Sequence, residues 1–207
     1  MKILSNPQLK KIVKLAIKED LGKLGDITSN TVLTKRDKAT FHFVSRAKGI
    51  LCGINIAKIV YELLDDKIIF TSFKKDGDLI KKNEILAKVE GPAISLLTGE
   101  RTALNFLTHL SGIATSTSMM VKLISHTDTK ILCTRKTTPG LRNIEKYAVK
   151  VGGGINHRIG LYDAILIKDN HIAIAGSISN ALKKVKKLKN KIKIEIEVDN
   201  LKQFKEA

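Results

Sequence analysis

KILCTRKTTPGL, residues 130–141, opens as an apolar extended run and stops at two adjacent cations, Arg135 and Lys136. Thr137, Thr138, Pro139 and Gly140 then break the chain direction. A turn needs no charge, so taken alone this is a solvated strand end. The residues that follow change the reading. LRNIEKYAVKV (141–151) has helical spacing, AILIK (164–168) is strand-like and ISNALKKVKKLK (178–189) is helical. KIEIEV (193–198) is a third strand, and NLKQFKEA begins another helix. Alternation of strand and helix at these lengths predicts a parallel sheet, either doubly wound or closed as a barrel.

Upstream the grammar is different. Leu9, Ile12, Val13, Ala16 and Ile17 follow helical spacing after Asn6-Pro7, and Gly22 is a stop. GKLGDITSNTVL reads as a loop. ATFHFVSR (39–46) alternates as a strand, with Phe41 and Phe43 on one face. A helix is expected over 54–65, a strand over KIIFTSF (67–73), and a turn, a short extended piece and another strand over KKDGDLIKKNEILAKVEG. Pro92 looks like the first residue of a long helix, and Ser111-Gly112 separates it from a second helix near 113–125. Ile94, Leu97, Arg101, Leu104 and Thr108 fall on one stripe of the first of these, which sets the Arg101 cation in a mostly apolar row. The expected organisation is therefore α/β: an α+β sandwich domain over 1–110, then an incomplete parallel α/β barrel over 111–207.

The chain has 207 residues, 43% of them hydrophobic, enough for one large or two modest cores. Thirty-seven Lys and Arg against 20 Asp and Glu give a formal charge of +17, which points to an anionic partner. Nucleic acid is poorly served, because aromatics are 4% of the chain, Trp is absent and no nucleic-acid motif is present. The Lys-rich run 183–193 reads as well as a solvated helix face as it does as a binding surface. Cys52 and Cys133 lie in apolar stretches and are expected to be buried reduced thiols, which suits a cytoplasmic protein. The N-terminus has charges every few residues and no signal-peptide core, and no apolar run reaches the length of a membrane span.

Chemistry on a parallel α/β sheet gathers at the carboxyl ends of its strands. Arg135 and Lys136 follow the first strand and Lys168 closes the second. On the third, Glu195 and Glu197 share a face, where they need water or cationic partners. Between the first helix and the second strand, VGGGINHRIGLYD (151–163) delivers His157 and Arg158 directly after three glycines. That run lacks the Lys and Ser/Thr of a P-loop and the spacing of a dinucleotide fingerprint. No His/Cys spacing suggests zinc, and no Ser or Cys has nucleophile-elbow context. Arg135, Lys136, His157, Arg158 and Lys168, with Glu197 opposite, suit a substrate bearing several carboxylates or phosphates. Arg grips a carboxylate through two hydrogen bonds, and each charge-assisted bond is worth roughly 1.5–3 kcal/mol when buried. On this reading the two cations after KILCT wait for an anion.

EDLGKLGDITSNTVL (19–33), GERTALNFLTHLSGIAT (99–115), TRKTTPGLR (134–142), GGGINHRIGLYDAILIKDNHI (152–172) and IEIEVDN (194–200) together resemble the quinolinate phosphoribosyltransferase family. The resemblance runs from about residue 7 to the last residue, with the motifs in family order. It implies phosphoribosyl transfer from phosphoribosyl pyrophosphate to quinolinate, giving nicotinate mononucleotide, pyrophosphate and carbon dioxide in NAD biosynthesis, with Mg²⁺. It also implies a homodimer in which one subunit's N-terminal domain closes the other's barrel mouth. Carried over by motif, Thr134, Arg135, His157, Arg158 and Lys168 would bind quinolinate, and Lys136 would reach the phosphoribosyl group. Glu197 would sit by the ribose, and Arg101 would enter the neighbour's site. Lys136, Lys168 and Glu197 are the catalytic candidates, with no protein metal ligand among them.

Chains of that family continue well past the position of residue 207, with further barrel strands and a phosphate loop. Three parallel strands cannot close a barrel, so an unpaired edge with exposed Ile and Val is expected, and turnover below the normal rate. Two other classes stand beside the enzyme reading. One is a basic nucleic-acid-binding protein, and the other is an inactive remnant that still dimerises.

Overall fold

The computed structural model describes residues 6–188 and 192–207. Met1–Ser5 and residues 189–191, the centre of the Lys-rich run, lie outside the described residues. The chain divides into two compact units, Met1–His157 and Arg158–Ala207.

The first unit is built on a three-stranded antiparallel sheet. β1 (Lys38–Val44) and β3 (Ile69–Ser72) flank β5 (Ile85–Pro92), with Phe41 and Phe70 both registered to Val89. β2 (Gly49–Ile50) and β4 (Leu79–Ile80) form a separate antiparallel pair. Phe43, Tyr61 and Phe70 form a ring cluster at centroid separations of 5.7–6.2 Å, which fixes the inward face of the sheet against helix α3 (Ile54–Leu64). Helix α1 (Asn6–Leu21) presents Val13, fully buried, with Leu9, Ile12, Ala16 and Ile17 packed on the same core. Gly22 closes it in the left-handed region, its N–H returning to the Lys18 carbonyl at 3.1 Å.

Two expectations for this unit change. The stretch read as a loop contains helix α2 (Ile27–Val32). Its residues are weak helix formers, so periodicity did not reveal it. Asp26 holds it from both sides, accepting from Ser29 N at 2.9 Å and from the Thr98 hydroxyl at 3.1 Å. The two helices expected either side of Ser111-Gly112 are one helix, α4 (Ala93–Leu123), of 31 residues. The small residues serve an approach rather than a break. The Ser111 hydroxyl donates to the Cys52 carbonyl and accepts from the Cys52 N–H, and Thr115 Oγ1 accepts from Ile50 N at 2.9 Å. Leu107, Leu110, Ala114 and Thr117 carry the buried stripe straight through. The position between residues 110 and 111 thus lies within α4.

Helix α5 (Arg142–Val151) packs on α4. Asp76 ties this layer to the sheet domain, accepting from Gly53 N and Ile54 N at the start of α3 and from the Tyr147 hydroxyl of α5.

The second unit holds β6 (Ile165–Ile167) and β7 (Ile194–Ile196), paired in parallel, with α6 (Asp169–Ala175) and α7 (Ile178–Lys186) between them and α8 (Leu201–Glu206) after. The expected strand–helix alternation is present here, with shorter strands. Ile174 is 90% exposed, and Tyr162, Leu201 and Phe204 are also exposed. The first expected strand differs. KILCT forms no ladder among the described residues, only a parallel bridge between Leu132 and Ile155. Its backbone partner is thus the segment after the glycines, through Ile155 N to Ile131 O (2.8 Å) and Cys133 N to Ile155 O (3.0 Å). No helix among the described residues is long and apolar enough to cross a membrane.

Candidate active site

Thr134, Arg135 and Lys136 follow the bridged segment, and the hydrogen bonds there shape a tight turn. Lys136 N donates to Thr134 Oγ1 at 3.0 Å, Thr137 N to the Arg135 carbonyl at 3.0 Å, and Arg142 Nε to Thr137 Oγ1 at 3.2 Å. Among the described residues, Arg135 Nε and Asn156 Oδ1 are buried without a hydrogen-bond partner. A buried guanidinium N–H left open is costly. His157 is brought to the same turn, its backbone N–H meeting Cys133 Sγ at 3.3 Å.

Two residues that sequence reasoning passed over hold this turn from α5. Lys146, 1% exposed, donates from Nζ to Cys133 Sγ (2.8 Å) and to the His157 carbonyl (3.1 Å). Glu145, 7% exposed, accepts Thr138 N at 3.1 Å on Oε2, and its Oε1 lies 2.9 Å from His109 Nε2. The local pattern does not mark them, because Glu145 and Lys146 follow the buried Ile144 where a solvent-facing charged pair is ordinary. Cys133, expected buried, is half-buried, while Cys52 is fully buried and its thiol is pushed up by burial and then by Asp76.

Burial alone would raise the Glu145 carboxyl, but the bonds from Thr138 and His109 outweigh it and hold it below its ordinary value. A carboxylate lowered in the fold stabilises it above the unfolded pKa, about 4.3, and that contribution is lost as pH falls through the folded value. Glu145→Gln should therefore flatten the acid limb of a stability–pH curve below about pH 4.5. An acid limb unchanged from the parent would show that this carboxylate is not coupled to folding.

The three glycines do not form an open cradle. A Cβ on Gly152 would lie 2.4 Å from the Ala114 carbonyl, one on Gly154 would meet Val149 at 2.8 Å, and Gly153 has φ +90°. They let the end of α5 close onto α4 and reverse the chain into Ile155.

In the second unit, Arg158 Nη1 donates to the Ala164 carbonyl at the head of β6 (3.2 Å). Asp163 accepts from Ile159 N and Gly160 N, which shapes the loop between them. Lys168, directly after β6, places Nζ 2.8 and 3.0 Å from the two carboxylate oxygens of Glu197, directly after β7. The parallel register of Ile167 with Ile196 puts these two side chains at the same height. Glu195 is met by Lys193. The carboxylate face of the third strand is thus met by cations, one of the two outcomes its pattern allowed.

Arg101 is exposed and lines a cleft of about 1180 Å³ between β1, the 45–49 loop and α4, together with His42, Arg46 and Lys48. Thr134, Arg135, Lys136 and His157 do not line that cleft.

The family model for the quinolinate phosphoribosyl transferase N-terminal domain matches residues 26–111, and that for the C-terminal domain matches 113–207. The chain is 46% identical over 201 residues to a probable nicotinate-nucleotide pyrophosphorylase [carboxylating] of Bacillus subtilis, covering 97% of this chain and 69% of that protein. It is 41% identical to the chloroplastic nicotinate-nucleotide pyrophosphorylase [carboxylating] of Arabidopsis thaliana, covering 96% of this chain and 58% of that one. A solved nicotinate-nucleotide pyrophosphorylase from Francisella tularensis superposes with a TM-score of 0.93 at 43% identity, over 99% of this chain and 72% of that chain. Matched along nearly its whole length by relatives of one kind, the chain belongs to the quinolinate phosphoribosyltransferase family.

Proposed function

We propose that this chain serves the transfer of phosphoribosyl from phosphoribosyl pyrophosphate to quinolinate with decarboxylation, in NAD biosynthesis. The observation that carries the reading is the match of both quinolinate phosphoribosyl transferase domain models, over residues 26–111 and 113–207, with Arg135 on a turn bonded to α5. Arg135, His157, Arg158 and Lys168, with Thr134, are each proposed as ligands of quinolinate carboxylates, Lys136 of the phosphoribosyl group and Glu197 of the ribose. The pyridine nitrogen attacks the ribose carbon as pyrophosphate departs, so no protein nucleophile is required. Cations stabilise the leaving group, and Glu197 faces the positive charge that develops on the sugar. The carboxylate next to the ring nitrogen then leaves as carbon dioxide, its bonding pair held on the ring carbon beside the positive nitrogen until that carbon takes a proton from solvent. The Lys168–Glu197 pair seen here holds each group beside its countercharge until substrate separates them.

Among the described residues there is no group of three or more His, Cys, Asp or Glu side chains that could hold a metal. Magnesium is proposed as a companion of phosphoribosyl pyrophosphate, where it would offset the charge of the leaving pyrophosphate. The parallel β6–β7 pair with its intervening helices supports reading the second unit as barrel segments. The meeting of the two family models at residues 111–113 supports a domain division at 110/111. A homodimer with Arg101 crossing the interface is supported by that side chain's exposure in a cleft of its own. Free Cys52 and Cys133 support a cytoplasmic setting. A nucleic-acid role rests on charge alone.

The test is product formation by the whole encoded protein. Nicotinate mononucleotide and carbon dioxide should appear in equal amounts and only when both substrates are present. Phosphoribosylation of nicotinate as readily as quinolinate would sink the reading.

A further inference from the structure

Lys146 is among the largest fully buried side chains of the molecule, and the proposed reaction gives it no step. Its Nζ donates to two atoms from different segments, Cys133 Sγ immediately before Thr134-Arg135-Lys136 and the carbonyl of His157. His157 N also meets the same sulfur, so one sulfur and one amine join the two segments that present ligand-facing side chains in this unit. The next residue along α5 grips the far end of the turn, because Glu145 accepts Thr138 N. The four residues 134–137 are thus suspended between consecutive side chains of one helix. Among the described residues, the backbone pairing across the two segments is the short bridge at Leu132 and Ile155. A ladder that short does not by itself hold register.

We infer that Lys146 is a positioning residue that holds the Arg135 turn and His157 at the spacing a dicarboxylate requires, with Cys133 as its sulfur acceptor. This rests on the quinolinate reading for the ligand, but the positioning itself is measurable without one. Packing alone does not explain a lysine here, since a methionine would fill similar space without two buried bonds.

The experiment compares parent, Lys146→Met, Cys133→Ser and Cys133→Val by amide hydrogen exchange and by calorimetric titration with quinolinate, well below the unfolding temperature. Lys146→Met is expected to lose protection at Cys133, Ile155 and His157 while the β1–β5–β3 sheet keeps its own, and to weaken quinolinate binding about tenfold or more. Cys133→Ser keeps an acceptor and should stay within about threefold of the parent, whereas Cys133→Val should follow Lys146→Met in part. Parent-like exchange at those three amides in folded Lys146→Met would overturn the inference. Protection lost evenly across residues 6–157 would also overturn it, by making Lys146 a general core residue. If Lys146→Met does not fold, Cys133→Val decides on the same two readouts. If the parent itself binds no quinolinate, the proposed function falls, and the exchange arm still decides whether Lys146 positions the turn.

Discussion

Replacing Arg135 with alanine should weaken quinolinate binding by about 2–4 kcal/mol, roughly thirtyfold to a thousandfold. The expectation follows from where the guanidinium sits. Its Nε has no hydrogen-bond partner among the described residues, so the guanidinium is not committed to a protein acceptor through that nitrogen. The turn is fixed by Thr137 N to the Arg135 carbonyl, by Thr138 N to Glu145 and by Lys146 on Cys133. Removing the side chain therefore leaves the backbone in place and the carboxylate without its partner, which is the expensive way to lose a charged bond. Arg135→Lys should recover only part of the loss, since a point charge cannot replace a two-pronged donor. Titration calorimetry on folded variants decides the matter, and an affinity equal to the parent's would remove Arg135 from the site.

The second large effect concerns Arg101 and Lys168 together. Arg101 is exposed on α4 and lines a cleft that Arg135, Lys136 and His157 do not share, while Lys168 is engaged with Glu197 between adjacent parallel strands. If Arg101 serves a partner's site, either Arg101→Ala or Lys168→Ala alone should lower turnover by about two orders of magnitude or more. Subunits of the two variants, mixed and exchanged, should then recover about a quarter of the parent rate per site, because half the dimers are mixed and each has one intact site. Turnover of the whole encoded protein is the readout. No recovery despite demonstrated mixed dimers would place Arg101 and Lys168 in one subunit's site.

Much of this arrangement could be read from the chain alone because the patterns are local. Period-two runs at 39–46 and period-3.6 runs at 54–65 gave β1 and α3 nearly at their true bounds. The strand–helix alternation of 164–206 gave the parallel β6–β7 pair. Lys168 and Glu197 met because each is the first residue past a paired strand, which register dictates. What escaped was non-local. Ser111-Gly112 looks like a break until Cys52 approaches it from elsewhere in the chain. α2 depends on Thr98 reaching Asp26. KILCT has the composition of a ladder strand, yet its bonds go to Ile155, and no property of residues 130–134 names that partner. Lys146 and Glu145 escaped for the same reason. Burial of charge on α5 is explained only by the turn it holds, and that contact is made in three dimensions.

Whether the strand-end cations take a dicarboxylate is read by a paired titration of the whole encoded protein with quinolinate and with nicotinate, which lacks the second carboxylate. One additional charge-assisted bond of roughly 1.5–3 kcal/mol predicts that quinolinate binds about tenfold to a hundredfold more tightly. Equal affinity for the two, or tighter binding of nicotinate, would contradict the account.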